Sequence, residues 1–513
     1  MHCRKLFPAL VLIIFLSVNV FSQLTLPRST PEAEGVLSSQ IVAFLDAVSK
    51  SKSEMHSYMI VRHGKVIAEG WWDPYKPDLK HTLYSCSKSF TATAIGFAVQ
   101  EKLLSLDDKV VSFFPDELPD TVSPFLAELN VRHVLTMTDG QSPDPTFAVT
   151  SRDSNWIKGF LATPIVDKPG SKFLYNSLGT YMLSAIIQKV TGQQLITYLT
   201  PRLFEPLGIT GMDWETDPKG INSGGWGLRL KTEDMAKFAQ LFLQKGKWHD
   251  KQVLPVSWVE EASSKHILQE PEARQSQRDS SDWMQGYGYQ MWRCRHNAYR
   301  GDGAFGQFMI VMPEQDAVIA LTAETADMQE EINLVWDYLL PAFKQEKLSE
   351  NNVVVSELRK KEKMLALSAA SNTAASRKII KKVFELEPNE MGIKSISFDV
   401  TRKNCVVDFK SDSAAYKISF APGKWQKGET NMPGPSLIGR SVKRNSFLYP
   451  AKIAAGYSWK EDGDLQLVLR YIESPHSETF NCHFTNDNVE INVAPSLAFG
   501  KHSVVLKGKA VSL

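Results

Sequence analysis

The chain reads as a mixed α/β domain followed by a separate β-rich domain, a sandwich or barrel. Three observations predict this. Strand-like runs at 58–72 and 286–323 bracket a largely helical middle. An almost wholly apolar helix, 85–100, lies between them, and a helix that is apolar nearly all round belongs inside a domain. Past residue 390 the pattern changes to alternation with period 2. The 513 residues are 43% hydrophobic and 22% charged, with 12 Trp, which excludes a disordered or collagen-like chain. At about 150 residues per domain the length allows two to four domains. The net charge of +1 leaves no whole-chain footprint for nucleic acid, and five Cys are too few for a disulfide-stapled scaffold.

Residues 1–22, MHCRKLFPALVLIIFLSVNVFS, have a basic start at Arg4 and Lys5, an apolar run from Leu6 to Val20 and small residues at Val20 and Ser22. That order predicts a secretory signal peptide cleaved after Ser22, and so an exported protein, periplasmic or extracellular. The apolar run falls short of the ~20 residues a spanning helix needs. Nothing later is long enough, so the protein is expected not to span a membrane.

The stretch YMIVRHGKVIAEGWW (58–72) predicts two strands joined at His63-Gly64. Mixed helices and loops follow to about 280, with a helix from Leu178 to Val190 stopped by Gly192. Strand-like runs return at 286–293, 306–312 and 316–323, and a helical stretch, 328–344, closes the domain. A charged helix (353–370) leads into period-2 strands: Ile396, Phe398 and Val400, then Tyr416, Ile418 and Phe420, then Leu465, Leu467, Leu469 and Tyr471. The expected boundaries are a mixed α/β domain over 23–345, a helical linker over 346–390 and the β-rich domain over 391–513. Residues 23–345 sum to −8 and 346–513 to +7. Opposite signs suggest that the second domain docks on the first, or offers a basic face to an anionic polymer such as cell-wall material. Cys405 and Cys482 sit on apolar strand faces and point toward a core, as buried thiols or as a bridged pair.

HExxH, paired CxxC, the Walker P-loop and the GxSxG elbow are all missing, so zinc protease, P-loop and ordinary α/β-hydrolase readings lose support. What is present is Ser85-Cys86-Ser87-Lys88. A serine hydroxyl needs a base beside it to act as a nucleophile. Residues three apart on a helix share a face, and burial lowers a lysine's pKa, so Lys88 is a candidate for that base. Ser-x-x-Lys alone is weak: it recurs at Ser49 to Lys52, and a capping Ser with a surface Lys is the plain account. The apolar helix after Ser85 is what distinguishes the first copy, because a lysine is costly to bury there. Tyr175-Asn176-Ser177 at a loop-to-helix junction, and Arg300-Gly301-Asp302-Gly303-Ala304-Phe305-Gly306-Gln307 entering an apolar strand, are two further pieces. Closely spaced glycines let backbone approach a ligand, as an oxyanion site requires. The aromatics Trp156, Trp283, Tyr287 and Tyr289 are candidates for a pocket or for packing.

In this order the three pieces resemble the serine β-lactamase and penicillin-binding-protein superfamily, nearest its class C-like esterase and amidase branch with the 6-aminohexanoate-dimer hydrolases. The resemblance runs from about 35 to 345 and includes KLLSLDDKVVSFFP, VRHVLTMTDG and GLRLKTEDMAKFAQLFL. It implies an antiparallel sheet built from both ends of the segment and flanked by helices, with a helical lobe holding Tyr175. It further implies Ser85 as acyl-accepting nucleophile, Lys88 as its general base and Tyr175 as partner in acid–base work. Ser177, Gly303 and Ala304 would be substrate-binding, with the N–H groups of Ser85 and Ala304 forming the oxyanion hole. No metal or organic cofactor is implied. Two positions depart from the family: Ser177 stands where Asn is usual, and Gly301 where a cation holds a substrate carboxylate. The expected function is hydrolysis of a small-molecule ester or amide. The alternatives are a β-lactamase or D-Ala-D-Ala-type peptidase, and a non-catalytic module that traps acyl groups or binds a polymer.

Overall fold

Strand β1 (Glu54–Arg62) pairs on one side with β2 (Lys65–Trp71), through a turn in which His63 and Gly64 both take positive φ. On its other side it pairs with a strand more than 250 residues away. The computed structural model describes residues 25–369, 379–401, 404–435, 450–496 and 503–511, so the expected signal peptide lies outside the described residues. The remaining strands of this sheet are β3 (Trp292–Arg293), β4 (Tyr299–Gly303), β5 (Gln307–Met312) and β6 (Ala317–Glu324). Their order is β2-β1-β6-β5-β4-β3, antiparallel throughout, with Ile60 opposite Ile319 and Val61 opposite Val318.

Both faces of this sheet are buried, which is why β1, β5 and β6 read as continuous apolar runs. Tyr58, Ile60, Phe308, Ile310 and Ile319 face one core with helix α1 (Ser38–Val48) and the closing helical segment at Ile332, Val335 and Trp336. Met59, Val61, Met309, Val311 and Val318 face the other, where helices α2 (Ser87–Gln100), α3 (Ser177–Thr191) and α4 (Thr232–Leu243) pack. The apolar α2 runs through the centre, with Phe90 stacked on Phe238 of α4 at 3.9 Å between centroids. Helix α3 ends where Gly192 adopts the left-handed conformation, as its sequence predicts.

Three sequence expectations need correction. Of the run 286–293 only Trp292–Arg293 is strand, because the preceding segment turns back to pair Tyr287 with Ile267. The stretch 299–303, outside the expected strand-like runs, is strand β4. The charged helix α5 (Asn352–Lys363) stops short of 370, and Ile380–Leu386, inside the stretch expected as helical linker, is the first strand of the second domain.

That second domain is a barrel. Its strands are β7 (Ile380–Leu386), β8 (Ile393–Val400), β9 (Cys405–Ser411), β10 (Ala415–Pro422), β11 (Gln426–Thr430), β12 (Ala451–Trp459), β13 (Leu465–Tyr471), β14 (Ser477–Thr485), β15 (Asn488–Pro495) and β16 (Val504–Val511). Nine of these close into a ring through a short parallel pairing of Ala421 with Gly456 and Pro422 with Tyr457, and β11 lies against β12 outside it. Alternate residues fill the interior: Ile396, Phe398, Val407, Phe409, Leu465, Leu467, Phe480 and Ile491 are all buried. Cys405 and Cys482 are buried there as free thiols rather than as a bridge. Among the described residues no helix is long and apolar enough to cross a membrane, and no cluster of side chains is arranged to hold a metal ion.

Candidate active site

The site forms where α2 begins, between strand β4 and the start of α3. A 3-10 turn, Tyr84–Cys86, precedes α2, and Tyr84 takes a positive φ of 46°. Ser87 fixes this turn: its hydroxyl donates to the Tyr84 carbonyl (2.6 Å) and accepts from the Leu228 N–H (3.1 Å). Ser85 is half-buried, one helical turn before a lysine that is 1% exposed.

Lys88 Nζ has three partners. It lies 2.9 Å from Ser85 Oγ, 3.0 Å from Ser177 Oγ and 2.7 Å from the Gly225 carbonyl. An ammonium satisfies all three as a donor. A neutral amine donates to two and turns its lone pair to the third, and only the hydroxyls can donate to it. Burial pushes the Lys88 pKa down to about 7, against a weaker upward pull from Asp144 and Asp302, so the neutral amine is populated near neutral pH. The Tyr175 ring faces the same nitrogen at 4.7 Å, with its phenol on the side of Ser85. Burial dominates there and raises the phenol well above its ordinary value, so Tyr175 stays protonated.

Asn176 sets these positions. Its Oδ1 caps α3 by accepting from the Gly179 N–H (3.1 Å), while its Nδ2 donates to Asp139 and Gln141 (3.0 Å each). Tyr175 and Ser177, on either side, are thereby held at the helix entrance.

Strand β4 approaches from the other side. A side chain at Gly303 would stand 2.1 Å from the Leu83 carbonyl oxygen, two residues before Ser85. Only glycine lets the strand lie this close, which brings Ala304 to the nucleophile turn. Phe305, next along, has φ 69°.

The motifs expected to act together, Ser85, Lys88, Tyr175, Ser177 and the Gly303-Ala304 turn, therefore converge from three separate parts of the chain. A sequence model of the Beta-lactamase family matches residues 52–340, more than half of the chain. The protein belongs to the Beta-lactamase family. Among curated relatives, a 6-aminohexanoate-dimer hydrolase of Paenarthrobacter ureafaciens is 25% identical over 289 residues, 53% of this chain and 73% of its own. Protein flp of Staphylococcus aureus is 29% identical over 167 residues, only a third of its length. Among solved structures, the octameric penicillin-binding protein homologue from Pyrococcus abyssi aligns with a TM-score of 0.48 and 16% identity, over 91% of this chain and 99% of its own. A D-stereospecific amidohydrolase from Streptomyces sp. aligns with a TM-score of 0.46 and 16% identity, over 60% and 99%.

Within this family framework the missing cation at Gly301 is not replaced by its neighbour. Arg300 is fully buried, bridged to Asp302 (2.7 Å) and laid over the Trp283 ring at 4.3 Å, with Nη1 donating to the Asp282 carbonyl. A Cβ at Gly301 would stand 2.5 Å from Met309 Cε, so a side chain there would require the flexible end of Met309 to move.

Of the candidate pocket aromatics, Trp156 and Tyr289 are core residues around α2 and α3. Tyr287 joins Phe173, Trp292 and Tyr175 in a cluster beside the site, with Trp292 stacked on Tyr175 at 5.6 Å. Sequence reasoning passed over Gly225 and gave Asn176 no role of its own. The Gly224-Gly225-Trp226-Gly227 run was the available signal for the first: a Cβ at Gly225 would meet the Ser177 carbonyl at 2.7 Å. The asparagine was visible inside the Tyr-x-x motif as a helix cap.

Proposed function

We propose that the protein is an exported serine hydrolase that cleaves an ester or amide bond through an acyl-enzyme on Ser85. The observation that carries this is the contact of a buried lysine, with its pKa near 7, with the hydroxyl of a half-buried serine at 2.9 Å. Family membership and the hydrolase relative support a hydrolase in general; the residue roles are our reading of the geometry.

Neutral Lys88 takes the Ser85 proton as Oγ attacks the substrate carbonyl carbon. The carbonyl π pair moves onto oxygen, and the resulting oxyanion is met by the N–H groups of Ser85 and Ala304. Collapse re-forms the carbonyl and breaks the bond to the leaving group. Tyr175, protonated at working pH, gives that group its proton and is reprotonated from the Lys88 ammonium. Water then attacks the acyl-enzyme, losing a proton along the same path, and returns Ser85 as the hydroxyl.

Asp302, paired with Arg300, stands beside Gly301 where a carboxylate-binding cation would act, so substrates without a carboxylate next to the scissile bond fit best. A β-lactamase or D-Ala-D-Ala-type peptidase would need that cation. An anionic polymer remains a proposed partner of the barrel, to be tested by co-sedimentation with cell-wall material.

Intact-protein mass and product release with p-nitrophenyl butyrate test the central claim. The wild type is expected to turn over and Ser85→Ala to show neither turnover nor the acyl mass. A Ser85→Ala protein that behaves like the wild type would overturn the assignment, and an acyl mass without turnover would point to an acyl-trapping module.

A further inference from the structure

The two proposed oxyanion donors are flanked by strained backbone. Tyr84, just before Ser85, and Phe305, just after Ala304, both adopt positive φ (46° and 69°) without being glycine. Such residues persist only where their surroundings hold them. One side chain touches both, and it comes from the barrel. The His476 imidazole lies edge-to-face with the rings of Phe305 (4.8 Å) and Tyr84 (5.8 Å), which also meet each other at 5.2 Å.

Hydrogen bonds orient that imidazole. Its Nδ1 lies 2.8 Å from Glu324 Oε1 at the end of β6, and its Nε2 meets the Tyr84 hydroxyl. A carboxylate accepts the Nδ1 proton, which leaves Nε2 to accept from the phenol. Glu324 is itself held by the barrel, because Ser496 Oγ donates to the same oxygen at 2.6 Å. His476 and Glu324 are both almost fully buried. Backbone bonds tie the same corner together: the Thr82 N–H donates to the Glu473 carbonyl (3.0 Å), and the Thr325 N–H to the Phe305 carbonyl (3.1 Å).

We infer that His476 is a positioning residue of the catalytic site, and that the barrel's 472–477 turn completes an oxyanion hole the first domain does not hold alone. His476 touches no substrate in this account. It fixes Tyr84 and Phe305, and through them the directions of the Ser85 and Ala304 N–H groups. The inference rests on the serine-hydrolase reading above.

The test compares wild type, Ser85→Ala, His476→Ala, His476→Gln and Tyr84→Phe in the full chain. Burst kinetics with p-nitrophenyl butyrate give acylation rate, kcat and KM. Competition by phenylboronic acid, whose tetrahedral adduct on a serine draws on the oxyanion donors, gives a second readout. His476→Ala is expected to lower the acylation rate about 10- to 100-fold with KM within about threefold, less than the 10²–10³ for removing a donor outright. Its phenylboronic acid affinity should fall in parallel, a change that a general loss of packing would not produce without a change in KM. His476→Gln, which keeps a donor and an acceptor, should recover part of the rate. If His476→Ala does not fold, Tyr84→Phe decides, since it removes only the hydroxyl and should slow acylation with KM unchanged. A folded His476→Ala or Tyr84→Phe protein with wild-type acylation and boronate affinity overturns the positioning role alone. Failure of the wild type itself to acylate at Ser85 overturns the hydrolase reading and this inference with it.

Discussion

Lys88 carries the strongest consequence of burial in the site. Its side chain is held where an ammonium would satisfy three acceptors, yet the removal of water lowers its pKa to about 7. The base form is the neutral amine, so kcat/KM for a neutral ester should rise with pH along a limb whose midpoint lies near 7, then level off. Lys88→Met should flatten this limb and lower kcat/KM at least 10²-fold, as read in a pH series from 5.5 to 9 with buffer controls. The linked stability has a definite sign. The unfolded lysine keeps its proton up to its ordinary pKa of 10.5 while the native one has lost it, so this group's contribution to stability grows as pH rises from about 7 to 10.5.

At the scale of the element, β4 shows how local pattern and packing part company. Gly301-Asp302-Gly303 shows no strand pattern, because two glycines in three residues lower strand propensity. It is strand because β5 pairs with it along its whole length, from Gly303 opposite Gln307 to Tyr299 opposite Val311. Its glycines leave space against α2 and the nucleophile turn. Gly303→Ala would put a methyl group 2.1 Å from the Leu83 carbonyl oxygen. Because the atom it meets is a backbone carbonyl oxygen, the strand must move away. The expected outcome is an acylation rate lowered by about 10² or more, for a stability loss of about 1–3 kcal/mol from overpacking. Stopped-flow acylation and urea unfolding measure the two separately; equal fractional losses in a merely unfolded population would contradict the argument. Elements with a clear period behave differently. Helix α3 and the barrel strands follow their sequence patterns closely, since a 3.6- or 2-residue repeat is a local property that survives any arrangement of neighbours.

The whole molecule is two domains joined beside the site at a seam that combines ion pairs with a small apolar cluster of Tyr75, Ala454 and Ile472. The charge split between the halves is partly used there: Arg470 and Lys427 of the barrel pair with Glu54 and Asp73 of the first domain, while Glu473 takes Arg229 in the opposite sense. Glu54 is the most informative of these groups. Burial raises a carboxyl's pKa, but the hydrogen bond from His56 and the charge of Arg470 outweigh it and hold Glu54 at about 2. A depressed carboxyl pKa contributes stability above its ordinary value of 4.5, and loses it as pH falls toward 2. Arg470→Met should therefore cost about 1–3 kcal/mol at pH 7, discounted from a fully buried pair because Glu54 is partly exposed. The gap in Tm between wild type and variant should narrow between pH 4.5 and 2. A pH-independent gap would mean that lost packing, not charge, carries the effect.

What the sequence by itself determined is whatever depends on near neighbours. Ser85 and Lys88 share one helical turn, Asn176 caps the helix it precedes, and the inward face of each barrel strand alternates, so their geometry is set within a few residues. Family motifs extended that reading to Tyr175 and the Gly303-Ala304 turn. Tertiary structure alone decided the rest. The third partner of Lys88 is the Gly225 carbonyl, and a backbone carbonyl has no residue type to announce it. His476 lies nearly 400 residues from the tyrosine it orients, in a domain whose pattern speaks only of a β core. Periodicity reports which side of an element is buried, but not what it is buried against. A lysine's pKa, a strained φ beside a nucleophile and a histidine's tautomer all depend on that second fact.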